Sequence, residues 1–171
     1  MKILGLPGIN PVTEQWMQKL LGAIEPDQAD IVIQRYQCWG MPGTSLDIET
    51  EAGIAAKTGP DIVIAKSIGT RVALYSFMRN LNPAKACIFL GIPIRGCSND
   101  EISALHKLCK SVPTLLIQQT NDPVGGYSVL ASLLPTSPAC KTIEVPGNDH
   151  RYGNIDQLRQ IIESWYSGIG S

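Results

Sequence analysis

The chain has 171 residues, of which 44% are hydrophobic and 17% are charged, a composition typical of one globular domain with a substantial core. Its formal net charge is -1 and its lysines and arginines are scattered. This argues against nucleic acid or an anionic membrane as the main partner, because both call for a basic face. No segment is apolar enough to predict a membrane span, and the N-terminus lacks the pattern of a signal peptide. We therefore expect a single domain over residues 1–171, located in the cytoplasm.

The chain contains five cysteines, an odd number, and no two of them form a C-x-x-C pair. Cys87 and Cys140 fall in apolar runs, where a free thiol packs as a small hydrophobic group. We therefore expect reduced structural thiols in a reducing compartment. A cysteine nucleophile is the alternative, but no cysteine has a more favourable local setting than the serine described below.

Six short segments predict strands, and most of them are nearly continuous in Ile, Val and Leu, as strands buried on both faces are. They occupy residues 2–6, 31–36, 61–65, 86–92, 114–119 and 140–145. Helical patterns lie between them, at residues 11–24, 45–57, 68–80, 100–110, 125–134 and 152–165. Ser45 is the expected N-cap of the second helix. This alternation predicts an α/β fold with a doubly wound, mainly parallel six-stranded sheet, helices on both faces, and a ligand site beyond the carboxyl ends of the strands.

Ser67 stands at the predicted turn between a buried strand and a helix. The strand ends at Ala65, and Gly69 follows the serine by two residues, which matches the G-x-S-x-G pattern of a nucleophile elbow with alanine in the first glycine position. Small residues are needed there because the turn packs tightly and strains the backbone of the nucleophile. The Ile68 amide then lies at a helix N-terminus, where it can donate a hydrogen bond to a developing oxyanion.

The loop after the first strand is the expected source of a second oxyanion donor. Gly8 allows the backbone to approach a ligand closely, so the amide of Ile9 or of Gly8 is the natural donor. Gly8 and Asn10 are also candidates for contact with a substrate.

A serine hydroxyl needs a neighbouring base to act as a nucleophile, and the chain has two histidines. His106 lies in a helical pattern and is interpreted as a surface residue. His150 follows the last strand, at the carboxyl edge of the sheet, and is the candidate base. Asp122 follows the fifth strand and is the candidate acid, although an Asp-Pro turn that caps the next helix explains the same residues. Asp149 competes for this role but adjoins His150 in the sequence.

Residues 65–73 read Ala-Lys-Ser-Ile-Gly-Thr-Arg-Val-Ala, which is similar to the G-[KR]-S-M-G-[GS]-R-[AV]-A stretch of dienelactone-hydrolase-like proteins. The chain length and the Leu-Pro-Gly of residues 6–8 resemble the retinoblastoma-binding-protein-like serine hydrolases. The order serine, aspartate, histidine is that of the α/β-hydrolase superfamily. Over nearly its whole length the chain resembles the small members of this superfamily that have no lid.

The resemblance implies a catalytic triad of Ser67, Asp122 and His150. It also implies that the amides of Ile68 and Ile9 form the oxyanion hole. The fold that it implies is a minimal α/β-hydrolase fold.

Lys66 precedes the candidate nucleophile, where its charge can favour an anionic substrate; the alternative is a lysine that is packed or solvated. Arg71 lies one helical turn after Ser67, and we expect it to pair with a carboxylate. Residues 91–99, between the fourth strand and the next helix, are too few to build a lid. We therefore expect an open and shallow site that suits a small acyl group.

These observations predict a serine hydrolase that cleaves a small carboxylic ester, thioester or similar acyl substrate through an acyl-enzyme, with no metal or organic cofactor. The expected partner is the small-molecule substrate, with neither nucleic acid nor membrane, and an open apolar edge permits a homodimer. The first alternative is a binding or scaffold protein that keeps the fold with little turnover. The second is a flavodoxin-like nucleotide or phosphate binder, although neither a Gly-rich phosphate loop nor a ribose-binding acid supports it.

Overall fold

Six strands form the sheet of the computed structural model, which describes residues 1–24, 29–41, 43–81 and 84–169. The strands are β1 (Lys2–Leu6), β2 (Asp30–Ile33), β3 (Ile62–Lys66), β4 (Ala86–Leu90), β5 (Thr114–Gln119) and β6 (Cys140–Val145). All are parallel, and they lie in the order β2-β1-β3-β4-β5-β6. The predicted parallel sheet is therefore confirmed, and β1, β5 and β6 have the predicted bounds.

Helices cover both faces of the sheet, as predicted. They are α1 (Val12–Ala23), α2 (Ile48–Lys57), α3 (Ile68–Met78), α4 (Asn99–Ser111), α5 (Tyr127–Leu133) and α6 (Ile155–Ile169). On one face α1 and α6 bury Met17, Leu20 and Trp165. On the other face α2, α3, α4 and α5 contribute buried residues to one apolar cluster, which includes Phe89 of β4. Within the described part of the chain, no helix combines the length and the apolar character needed to cross a membrane.

The direction of winding changes between β1 and β3, and this change locates the site. β1 pairs with β2 on one side and with β3 on the other. The helix that follows β1 covers one face and the helix that follows β3 covers the other, which opens a crevice at their carboxyl ends. Because Leu6 pairs with Ala65, the loop after β1 and the turn at Ser67 lie side by side.

Two predicted helix starts are wrong. Ser45 is not the cap of α2; the Asp47 carboxylate accepts hydrogen bonds from the amides of Glu49 and Thr50 instead, and aspartate caps a helix as well as serine does. The last helix does not begin at Tyr152, whose φ of 57° lies in the left-handed region. Its apolar side chain fits the helical pattern but is buried as part of a loop.

Two strands end earlier than predicted. After β4 the chain turns at Gly91, which has a φ of 61°, although Ile92 beyond it is fully buried. After β2 the backbone leaves the sheet, yet Tyr36 is only 2% exposed. Beyond β4 the apolar run continues because Ile92 belongs to the core, whereas beyond β2 Gln34 and Arg35 are polar and only Tyr36 returns to the core. A core residue that follows a strand therefore makes the predicted strand too long.

We expect Gly69→Ala to lower the free energy of unfolding by about 3 kcal/mol, measured by urea denaturation. A Cβ at Gly69 would lie 2.2 Å from the Leu6 carbonyl oxygen and 2.6 Å from that of Pro7, and these backbone atoms cannot rotate away. Gly53→Ala is the matched control, because a Cβ at Gly53, inside α2, meets nothing within 4 Å. There the better helix propensity of alanine should raise stability by roughly 0.5–1 kcal/mol. A Gly69→Ala protein as stable as the wild type would contradict this packing.

Candidate active site

Ser67 stands at a strained turn between β3 and α3. Its φ of 53° and ψ of −121° fall in a sparsely populated region for a residue with a side chain, at a cost of order 1–3 kcal/mol. The Ser67 amide donates to the Leu90 carbonyl at 3.0 Å, and the Ser67 carbonyl accepts from the Thr70 amide at 2.9 Å. These bonds, together with the contact of Gly69 against the end of β1, hold the serine in this conformation.

The structure brings Ser67, His150 and Asp122 into one chain of hydrogen bonds. Ser67 Oγ lies 2.8 Å from His150 Nε2, and His150 Nδ1 lies 2.8 Å from Asp122 Oδ2 and 3.0 Å from its Oδ1. Because a carboxylate only accepts hydrogen bonds, Nδ1 carries a hydrogen, and in the neutral imidazole Nε2 is then the acceptor for the serine hydroxyl. The three residues follow β3, β6 and β5, whose carboxyl ends meet at one edge of the sheet.

The Asp122 carboxylate is almost completely buried and receives several hydrogen bonds. Besides the His150 ring, the Tyr152 hydroxyl donates to Oδ2 at 2.7 Å and the Val124 amide donates to Oδ1 at 3.0 Å. Burial by itself raises the pKa of Asp122, but these hydrogen bonds outweigh it and hold the pKa below its usual value. The carboxyl group is therefore ionised at neutral pH, as an acceptor for the imidazole proton must be.

The segment that carries His150 has a strained backbone. His150 has a φ of 60° and Tyr152 a φ of 57°, both in the left-handed region that residues with side chains avoid. Gln119, the last residue of β5, holds this segment. Its Oε1 accepts from the amides of Asp149 at 3.2 Å and His150 at 2.9 Å, and its Nε2 donates to Asp149 Oδ1 at 3.0 Å. The competing carboxylate, Asp149, therefore bonds to Gln119, and the imidazole bonds to Asp122.

Gly91 leaves the space that the His150 and Tyr152 rings occupy. A Cβ at Gly91 would lie 2.6 Å from the Tyr152 ring and 3.0 Å from His150 Cε1. The Tyr152 hydroxyl in turn accepts a hydrogen bond from the backbone amide of Gln119 at 2.9 Å, while it donates one to Asp122. Tyr152 thus connects the end of β5 to the candidate acid.

Lys66 is only 4% exposed, although it directly precedes the serine. Its ammonium donates to the His150 carbonyl at 3.1 Å and lies 5.3 Å and 5.7 Å from the ring centroids of Trp16 and Tyr152. Burial lowers the pKa of Lys66 to about 8. Of the two interpretations of Lys66 that the sequence allows, this geometry favours the packed side chain over a contact with an anionic substrate.

Side chains hold three successive carbonyls in the loop after β1. The Tyr36 hydroxyl donates to the Pro7 carbonyl at 2.7 Å. The Thr13 hydroxyl lies 2.9 Å from the Gly8 carbonyl, and the Trp39 indole donates to the Ile9 carbonyl at 2.7 Å. Because the C=O and N–H of a trans peptide point in opposite directions, these bonds turn the amides of Gly8 and Ile9 away from the side chains. Gly8 also lies against the serine, since a Cβ there would be 3.6 Å from Ser67 Cβ.

The other predicted site residues lie around this loop. Ile68 is the first residue of α3, so its amide belongs to the helix turn whose amides have no partner within the helix. Ile9 is 50% exposed. Asn10 is exposed, and its Oδ1 accepts from the Val12 amide at 3.0 Å, at the start of α1.

The remaining candidates lie outside the hydrogen-bonded site. Arg71 pairs with Glu101 through two hydrogen bonds of 2.6 Å and 3.1 Å, which confirms the expected carboxylate pairing. His106 contacts the Leu133 carbonyl.

All five cysteines are free, and burial raises the pKa of Cys87 to about 12, which disfavours a thiolate there. Among the described residues, no cluster of three His, Cys, Asp or Glu side chains could hold a metal ion.

Three residues of the site were not predicted from the sequence: Gln119, Tyr152 and Gly91. A signal for Gln119 exists, because two glutamines end an otherwise apolar strand, and buried polar side chains need partners. Tyr152 is hidden within a predicted helix. Gly91 has no signal beyond its position at the end of a strand.

The profile of a family described as "Alpha/beta hydrolase domain" matches residues 43–160, and the chain therefore belongs to the α/β hydrolases. This membership supports hydrolase activity in general. No curated protein matches the chain.

Solved structures share the fold at low sequence identity. A loop variant of the haloalkane dehalogenase from Bradyrhizobium elkanii has a TM-score of 0.68 at 12% identity, covering 99% of this chain and 89% of its own. The esterase domain of a Rhodothermus marinus protein has a TM-score of 0.66 at 13% identity, covering 96% of this chain and 85% of its own. A variant of the N-formylmaleamic acid deformylase from Pseudomonas putida has a TM-score of 0.69 at 15% identity, covering 94% and 90%. At these identities the likeness concerns the fold alone.

We expect Tyr152→Phe to lower the free energy of unfolding by about 1–3 kcal/mol at neutral pH, because a donor to a buried carboxylate is removed. The lowered pKa of Asp122 contributes stability above its unfolded value of 3.8, and this contribution is lost as the pH falls below that value. The difference between variant and wild type should therefore narrow in acid, as measured by urea denaturation at several pH values. Tyr166→Phe, at an exposed position of α6, is the control. A difference that stays constant down to acid pH would contradict the assigned partner.

Proposed function

We propose that the protein is a serine hydrolase that cleaves a small carboxylic ester, thioester or similar acyl substrate through an acyl-enzyme. The observation that carries this proposal is the 2.8 Å contact between Ser67 Oγ and His150 Nε2, with the ionised Asp122 on the other side of the imidazole. In this role Ser67 is the nucleophile and His150 is the general base and acid. Asp122 keeps the ring in the required tautomer and stabilises its protonated form.

The proposed reaction has two steps. Ser67 Oγ attacks the carbonyl carbon of the substrate while its proton passes to His150 Nε2, and a tetrahedral oxyanion forms. The intermediate collapses, His150 returns the proton to the leaving alcohol or thiol, and the acyl group stays on Ser67. A water molecule then gives a proton to His150 and attacks the acyl carbon. In a second collapse the bond from the acyl carbon to Ser67 Oγ breaks, His150 returns the proton to Oγ, and the carboxylic acid is released.

Two backbone amides are proposed to stabilise the oxyanion. The Ile68 amide is a first-turn amide of α3, where the helix dipole favours negative charge. The second donor is the Ile9 amide, with the Gly8 amide as the alternative. The hydrogen bonds from Tyr36 and Thr13 to the Pro7 and Gly8 carbonyls support both candidates for the second donor. They turn the amides of Gly8 and Ile9 away from these side chains before any substrate binds. Gly8 and Asn10 flank Ile9 and are proposed to contact the substrate.

The open setting of the serine supports a small or exposed acyl group as the substrate. Eight residues, 91–98, connect β4 to α4, and they include only one turn of 3-10 helix, Ile94–Gly96. The His150 side chain is 20% exposed, so the hydrogen-bonded site reaches the surface. A long acyl chain would find no covering segment in this connection.

Labelling with a fluorophosphonate probe tests the nucleophile. We expect a single adduct on Ser67, located by peptide mass spectrometry, that is absent in Ser67→Ala and strongly reduced in His150→Ala. Ester turnover should fall by about 10⁶ in Ser67→Ala and by about 10⁴ in Asp122→Asn, which disturbs the imidazole tautomer. Asp149→Asn is the matched control and should keep most of the activity. If the folded wild-type protein is not labelled, the proposed function is wrong.

A series of p-nitrophenyl esters tests the substrate class. Because the site is uncovered, we expect kcat/KM to be highest for acetate and butyrate and not to rise with longer acyl chains. Each buried methylene would otherwise contribute about 0.8 kcal/mol, or roughly fourfold in kcat/KM. A steady rise up to the decanoate ester would show an apolar acyl site and contradict the proposal of a small acyl substrate.

A further inference from the structure

Lys66 is a buried lysine that contacts the backbone of His150. Among the described residues, no carboxylate lies within 4 Å of Lys66 Nζ; its contacts are the His150 carbonyl and the faces of the Trp16 and Tyr152 rings. Two aromatic faces within about 6 Å attract an ammonium group. The side chain is therefore held by one carbonyl and two rings, all next to the strained segment that bears the imidazole.

Lys66 and Trp16 donate hydrogen bonds to the two ends of the segment that bears the imidazole, residues 150–152. Lys66 binds the carbonyl of His150 at 3.1 Å, and the Trp16 indole donates to the carbonyl of Tyr152 at 2.9 Å. Within this segment, His150 and Tyr152 are the two non-glycine residues with a positive φ. A strained conformation persists only where its surroundings hold it, and these two bonds act on the strained residues themselves.

Stability alone does not account for a lysine in this place. Burial opposes the charged form and lowers the pKa of Lys66 to about 8, although the carboxylates of Asp122 and Asp149 attract it. Burial of a charge without a salt-bridge partner destabilises a fold, and apolar replacements of buried ionic groups are often neutral or stabilising.

We propose that Lys66 is a positioning residue, which holds the His150 backbone so that the imidazole stays in line between Ser67 and Asp122. This role rests on the proposed function of the site. Lys66 does not touch the substrate or the reacting atoms. It acts through the peptide group of His150, and a displacement of the imidazole by a fraction of an ångström weakens proton transfer from the serine.

Lys66→Met is the test, because methionine fills a similar volume without the donor or the charge. We expect kcat for p-nitrophenyl acetate to fall about ten- to a hundredfold, with KM within about twofold of wild type. The thermal midpoint at neutral pH should be equal to or above that of the wild type. A purely structural lysine would give the opposite pattern, a lower midpoint with kcat unchanged. Lys107→Met, at an exposed position of α4, is the matched control.

The pH dependence of stability gives an independent readout. In the folded wild type Lys66 loses its proton near pH 8, whereas in the unfolded chain it does so near 10.5. Between these values the unfolded chain binds more protons, so wild-type stability gains from rising pH. Any advantage of Lys66→Met over the wild type should therefore shrink across this window. The groups facing the ammonium are Asp122, Asp149 and Tyr152.

Proton NMR separates the positioning role from the proposed activity. The hydrogen between His150 Nδ1 and Asp122 should give a downfield signal that is lost in His150→Gln and kept in His106→Gln. We expect this signal to broaden or disappear in Lys66→Met. Trp16→Phe, which removes the indole donor to the Tyr152 carbonyl and leaves a smaller aromatic ring near the Lys66 ammonium, should weaken it as well and serves as the second variant if Lys66→Met does not fold.

The outcomes distinguish the two proposals. An unchanged His150 signal in Lys66→Met, or a kcat within about twofold of wild type, overturns the positioning role while leaving the serine hydrolase intact. A wild-type protein without ester turnover or probe labelling overturns the hydrolase. The NMR comparison then still decides whether Lys66 holds the imidazole.

Discussion

The site depends on the close approach of α3 to the end of β1, which a residue with a side chain at position 69 would prevent. Gly69 lies against the carbonyls of Leu6 and Pro7, so the helix N-terminus and the loop after β1 share one crevice. Ser67 is thereby placed beside Gly8, and both lie where the winding of the sheet changes direction. The pairing of Leu6 with Ala65 already places the loop beside the serine, and the Gly69 contact brings the N-terminus of α3 against that loop.

The same strain and support recur around the histidine. Ser67, His150 and Tyr152 all have backbone angles that are unfavourable for residues with side chains. Gln119 holds the histidine segment through three hydrogen bonds, and Lys66 is buried beneath it. Backbone strain is therefore concentrated in the turns and loops at the carboxyl edge of the sheet, whereas the strands pack in an apolar core. Such strain is common where chemistry requires fixed geometry.

The topology locates the site but does not specify its chemistry. The strand order β2-β1-β3-β4-β5 is also that of flavodoxin-like folds, which bind their ligands at the same crevice. The family match assigns the chain to the α/β hydrolases, and the residues in the crevice distinguish the uses of this topology. A serine at the strained turn, bonded to an imidazole that is bonded to a buried carboxylate, favours acyl transfer over phosphate binding.

Much of the fold could be predicted from short stretches of sequence. The bounds of β1 and β5 follow from apolar residues with clear turn residues after them, and Pro146-Gly147 marks the end of β6. By contrast, β2 and β4 were predicted too long because a core residue, Tyr36 or Ile92, follows each strand in a loop. The turn at Ser67 was predictable because its small neighbours are a local requirement. The histidine and aspartate were candidates because each follows a strand at the same edge of the sheet.

The sequence by itself determined the alternation of strands and helices and the residue types at the edge of the sheet, because these depend on neighbours within a few positions. Only the tertiary structure decided how those residues are held. Lys66 meets the His150 carbonyl across 84 positions of sequence, and the Tyr152 hydroxyl meets the Gln119 amide across 33. Contacts between such distant residues form only when the sheet is assembled, so no local pattern distinguishes a lysine that faces a substrate from one that lies packed beneath the histidine.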